Sequence, residues 1–153
     1  MLKKTSKGFT LIELLIVVAI IGIIAAIAIP NLLNAIQRGK QKRTMGDMRT
    51  VATANESYSI DNNQYVANST TTVGTIAANL EPTYVKKAPR NDGWNSPIVY
   101  EATQQEYTIT AWGKDKTASS PGTASLAGGT TDFRDDIVFS TGSFVFFPEG
   151  AQK

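Results

Sequence analysis

The chain has 153 residues, with 15 basic and 13 acidic side chains for a formal charge of +2, and it contains neither cysteine nor histidine. The first absence excludes a disulfide framework, a thiolate metal site and a thiol nucleophile; the second removes the commonest general base and transition-metal ligand. Setting Lys3, Lys4 and Lys7 aside leaves 12 basic against 13 acidic side chains, which gives a nucleic-acid role no electrostatic support.

The first element is apolar. Residues 9–29 form a run of 21 with a single charge, Glu13, and no other before Arg38. As a helix this run spans about 31 Å, the thickness of a bilayer's hydrocarbon. The three lysines before it favour a cytoplasmic N-terminus, with the bulk of the chain across the membrane; Arg38, Lys40, Lys42 and Arg43 after it weaken that bias. A cleavable secretory signal is the competing reading, since it also opens on basic residues and Ala26-Ile27-Ala28 has the form of a cleavage box. Two features count against it: the run exceeds the roughly 7–15 residues of a signal's apolar region, and an acid lies inside it. An ionised carboxylate at membrane depth is costly and normally finds a partner. Glu13 lies only about 6 Å beyond Phe9 by helical rise, so bending back to the interface is one way out.

Pro30 follows, and by lacking an amide hydrogen it is expected to kink or interrupt the helix near Ala26. Residues 30–63 read as an amphipathic continuation: Met45, Met48, Val51, Ala52 and Tyr58 recur at three- and four-residue steps, and Asp61-Asn62-Asn63 supplies a stop. One face should pack on a core. Arg38-Gly39-Lys40-Gln41-Lys42-Arg43 reads as a basic belt at the membrane surface, either solvated or set against acidic groups of a neighbour. Residues 64–97 are loop-rich, with Pro82, Pro89, Pro97 and Asn91-Asp92-Gly93, and residues 76–80 form at most a helical turn. Strands are expected at 98–101, 106–112, 137–140 and 143–147, the last two joined by a tight Thr141-Gly142 turn. A long helix followed by an antiparallel sheet over 98–153 is an α+β architecture.

Lys7-Gly8-Phe9-Thr10-Leu11-Ile12-Glu13, opening an apolar run that ends at Pro30, resembles the class III leader of type IV pilins and pseudopilins. The resemblance implies that a prepilin peptidase removes residues 1–8 by cutting after Gly8, and that the new N-terminal Phe9 is methylated. It also implies a partner for Glu13. The α-amine created on Phe9, with a reference pKa of about 7.7–8.0, lies about one turn away in the same helix. Between neighbouring helices the same pair would set the axial stagger of a filament.

Asp92-Gly93-Trp94-Asn95-Ser96-Pro97 with Tyr100 is similar to the D-x-W-G-x-P…Y segment of the major, G-type pseudopilin of type II secretion systems, although Asn95 stands where glycine is common. That similarity implies a pilin-like fold and a non-enzymatic structural subunit. Such a subunit waits in the inner membrane with its globular domain in the periplasm, then homo-oligomerises by helix packing into a periplasmic filament that promotes protein export. The prepilin peptidase, minor pseudopilins and an inner-membrane assembly platform are the implied partners. It further implies calcium, a hard cation that takes six to eight oxygen ligands. Asp115, Asp135 and Asp136 match the family's ligand positions, Asp132 is a possible extra ligand, Lys116 replaces a frequent glycine, and the 117–131 insert lengthens the loop. Two other readings stay open: a type IV pilin for adhesion, motility or DNA uptake, and an enzyme or solute-binding domain on an uncleaved anchor. Many major type IV pilins close their C-terminal loop with a disulfide, which this chain cannot form.

Overall fold

The computed structural model describes residues 8–66, 68–118 and 128–152, so Lys3, Lys4, Lys7 and most of the insert lie outside the described residues. The chain divides into two units, Met1–Ala35 and Ile36–Lys153. One helix, α1 (Leu11–Asn62), runs for 52 residues with Pro30 inside it. Pro30 does not interrupt the helix. Its ring removes the amide donor of the Ala26 carbonyl, and one residue on Asn31 Nδ2 adds a side-chain bond to the Ile27 carbonyl at 3.1 Å.

The second unit is a sheet laid against the C-terminal part of α1. Its elements are β1 (Asn68–Thr72), α2 (Val73–Leu80), β2 (Val99–Ala102), β3 (Tyr107–Ala111), β4 (Gly128–Thr130), β5 (Ile137–Ser140) and β6 (Ser143–Pro148). The strands lie in the order β1-β2-β3-β5-β6-β4. All neighbours pair antiparallel except β4 with β6, which run parallel. The β5–β6 hairpin turns at Thr141 and Gly142, both at positive φ (38° and 93°), the conformation that a two-residue turn needs to match strand twist.

Met48, Val51 and Ala52 of α1 are buried as their spacing predicts, against Ile98, Tyr100, Tyr107, Ile109, Ile137 and Phe139 of the sheet region and Val73, Ile76 and Leu80 of α2. The buried face of α1 is also polar in places: Gln41, Thr44 and Asn55 are enclosed, so the basic belt is broken by a side chain that turns inward. Tyr107 lies at the centre of an aromatic file, with ring centroids 4.8 Å from Tyr65, 6.5 Å from Tyr100 and 6.3 Å from Phe139. Its hydroxyl donates to Glu56 Oε1 at 2.6 Å, tying the sheet to α1. Burial, and then the Glu56 carboxylate, push the Tyr107 phenol well above the ordinary range.

Two expectations need correction. Residues 66–97 hold more regular structure than a loop with one helical turn, because β1 gains its ladder from β2 and α2 buries Val73, Ile76, Ala77 and Leu80. The sheet is also not wholly antiparallel. β4, at the end of the insert, returns alongside β6.

The two residues that stand in place of family glycines both keep a glycine-like backbone: Asn95 has φ 64° and Lys116 φ 60°. Asparagine tolerates this region, whereas a long side chain there costs about 1–2 kcal/mol. Lys116→Gly should therefore raise stability by about 1 kcal/mol net of glycine's greater unfolded-state entropy. A urea midpoint at or below that of the parent chain would contradict this account of Lys116.

Candidate assembly helix and its neighbouring loops

The first half of α1 is apolar on every side. An 18-residue window reaches a mean hydropathy of 3.1 with none of it buried. Large side chains along it are exposed, from 44% at Ile36 to 81% at Leu11, and Phe9 just before it is equally exposed. A helix with one apolar stripe can pack on its own core, but one that is apolar all round needs an apolar phase or other helices around it.

Its start is built by four residues. Gly8, Phe9 and Thr10 precede the helix and are exposed, so the Gly8–Phe9 peptide bond lies outside helical hydrogen bonding. Thr10 Oγ1 accepts from the Glu13 amide at 3.2 Å, while the Glu13 carboxylate accepts from the Thr10 amide at 2.9 Å and from the Thr10 hydroxyl at 2.7 Å. This reciprocal pair is a capping box, in which two amides without helical partners are satisfied at once. Glu13 thus has a local partner in Thr10, which sequence reasoning passed over. The signal was present as Thr-x-x-Glu at the head of a helix.

Beyond the first unit, the Asp92–Pro97 loop is fastened to α1. Gly93 lies so close to the Lys40 carbonyl that a Cβ would collide with it, and its amide donates to Thr44 Oγ1 at 2.9 Å. Trp94, almost fully buried, donates from Nε1 to Gln37 Oε1 at 2.7 Å. Asp92 Oδ1 holds the turn by accepting from the amides of Trp94 at 2.9 Å and Ser96 at 2.8 Å, and burial raises its carboxyl above the usual range. The residues that suggested a subfamily are therefore the ones that dock this loop.

The four candidate calcium ligands lie on two adjoining loops. Gly113 packs against the carbonyls of Arg134 and Asp135, and the Lys114 amide donates to the Phe133 carbonyl at 2.8 Å. Three of the four acidic side chains have partners of their own. Asp132 is taken by Arg134, with Oδ2 2.7 Å from Nη2, and these hydrogen bonds hold its carboxyl below the usual range. Asp115 Oδ1 accepts from the Thr117 amide at 3.0 Å, and Asp135 Oδ2 accepts from the Thr130 hydroxyl. Asp136 is buried. Among the described residues no group of three acidic side chains is placed to hold a metal ion. The 119–127 segment outside them contains no Asp or Glu.

Comparison with known proteins bears on most of the chain. A family model described as "Prokaryotic N-terminal methylation motif" matches residues 3–29, and one described as "Type II secretion system (T2SS), protein G" matches residues 31–128, well over half of the chain. The type II secretion system core protein G of Aeromonas hydrophila is 32% identical over 109 residues, covering 63% of this chain and 73% of that one. The core protein G of Pseudomonas aeruginosa is 32% identical over 129 residues, covering 75% and 88%. The type IV wide pilus major component of Thermus thermophilus is 49% identical over 65 residues, covering 42% of this chain and half of its own length. No solved structure matches the chain. With the methylation motif, the uncovered helix and a protein G match that carries through the docked Trp94 loop, the chain belongs to the type II secretion system protein G family.

Proposed function

We propose that this protein is the major pseudopilin of a type II secretion system, a structural subunit that turns over no substrate and whose work is assembly. The observation that carries the reading is a helix apolar on all sides joined to a domain of the protein G family. Before assembly, lipid covers that helix. In the filament, neighbouring copies of the same helix replace the lipid, so the subunit can move from one apolar environment to the other at little cost. Lys3, Lys4 and Lys7 hold the N-terminus in the cytoplasm, and the globular unit lies in the periplasm.

Processing supplies the polar chemistry. Cleavage after Gly8 frees an α-amine on Phe9, and a prepilin peptidase has access to that bond because the helix begins beyond it. The amine of an incoming subunit then meets the Glu13 carboxylate of its neighbour and fixes the stagger between helices. Thr10 holds that carboxylate until the exchange occurs. Minor pseudopilins and an inner-membrane platform would be the remaining partners.

The type IV pilus reading has support from pilin relatives that reach about half identity, but their alignments cover 65 residues or fewer, against 129 for the protein G of Pseudomonas aeruginosa. Mass analysis of the mature N-terminus tests the scheme: the first residue should be a methylated Phe9. A chain that retains residues 1–8, or starts after Ala28, would retire it.

A further inference from the structure

The segment between β3 and β6 is the one that the family resemblance would fasten with calcium, yet Asp115, Asp132 and Asp135 each have a partner of their own. What does fasten it is a set of hydrogen bonds around Thr130. This residue, at the end of β4, is 5% exposed. Its hydroxyl donates to Asp135 Oδ2 and accepts from the Asp132 amide at 3.1 Å. Its carbonyl accepts from the Glu149 amide at 2.8 Å and from Gln152 Nε2 at 2.6 Å. Gln152 Nε2 also donates to the Glu149 carbonyl at 2.9 Å, and its Oε1 accepts from Nε2 of Gln41 on α1 at 3.1 Å. Gln41 and Gln152 are 3% and 7% exposed, so both amides are desolvated and each needs its partners.

We propose that in this chain the Thr130–Gln152–Gln41 network takes the structural place of the family's calcium ion, so that the fold is independent of calcium. The chemistry supports a substitution of one device for the other. A calcium ion gathers carboxylates and carbonyls from separate segments onto one point. Here Thr130 gathers the Asp132–Asp135 loop and the 149–152 segment onto one residue, and the two glutamines carry the link to α1. The Arg134 guanidinium is paired with Asp132 and lies near Asp115 and Asp135, and the Lys114 ammonium adds a further attraction to Asp132. Every acid of the loop is among the described residues, because 119–127 contains none.

Thermal unfolding of the processed full-length protein in detergent micelles tests this. The wild-type midpoint should be the same in excess EDTA and in millimolar calcium chloride. Thr130→Val should lower it by roughly 4–8 °C, as expected for lost buried hydrogen bonds in a domain of this size, and Thr130→Ser should restore most of the loss. A wild-type midpoint that rises by several degrees with calcium and falls with EDTA overturns the proposal, even if Thr130→Val proves too unstable to measure. So does a Thr130→Val protein that melts with wild type. Neither result bears on the maturation scheme, which the mass of the N-terminus tests separately.

Discussion

Replacing Glu13 with leucine should abolish filament formation while leaving the chain in the membrane fraction. The substitution removes the one charge from residues 9–29, so insertion into lipid becomes easier. It also removes the carboxylate that a neighbour's Phe9 amine is proposed to meet. Without that pair the apolar helices can still touch, but a smooth apolar surface has many registers of similar energy and nothing selects one. Thr10→Val is the graded companion. It deletes the hydroxyl that both caps the helix and holds Glu13, at a cost of about 0.5–2 kcal/mol to the helix start, and it leaves the acid itself in place. Filament yield, scored by electron microscopy of sheared material, should fall in the order wild type, Thr10→Val, Glu13→Leu. Wild-type yields from Glu13→Leu would remove the acid from the assembly mechanism.

The second large effect is expected in the globular unit. Tyr107→Ala empties the middle of the aromatic file and strips the donor from Glu56, and substitutions of this kind cost about 3–5 kcal/mol. That is a large share of the 5–15 kcal/mol that holds a typical domain together, so the unit should melt well below wild type. Tyr107→Phe separates the two contributions. It keeps the ring and deletes only the 2.6 Å bond to a carboxylate, with an expected loss of about 1.5–3 kcal/mol. Circular dichroism melts of the two variants beside wild type measure both. If Tyr107→Phe melts with wild type, the ring alone fastens the sheet to α1 and the Glu56 bond contributes nothing.

Sequence patterning made the extended parts of this fold legible and left the composite parts hidden. The apolar run, the three- and four-residue steps of Met48, Val51 and Ala52, and the Thr141-Gly142 turn each carry their structure in a few adjacent residues. β1 does not: Asn, Ser and three Thr form a strand because β2 offers a ladder, and that partner lies about 30 residues away. β4 is three residues, two of them glycine, and its parallel partner β6 comes later in the chain. The loop acids show the same limit in the candidate site. Asp115, Asp132, Asp135 and Asp136 share a chemistry, but Arg134, Thr117 and Thr130 decide where three of those carboxylates are spent. Thr10 is a different case. Its capping pattern with Glu13 is local and readable, yet the hydrophobicity around it dominates any reading of the stretch.

The sheet's two outer strands among the described residues carry a consequence for a chain of a filament-forming family. Packed side by side at high local concentration, subunits with long apolar edge strands would zip together through their backbones and set solid in the wrong geometry. Here one edge is β1, whose five residues are all Asn, Ser or Thr, and the other is β4, three residues long and mostly glycine. Neither offers the hydrophobic alternation that holds an added strand. The sheet therefore offers little to grow on, and under the proposed function the choice of how copies meet is left to the helix, whose association would be reversed by returning it to lipid.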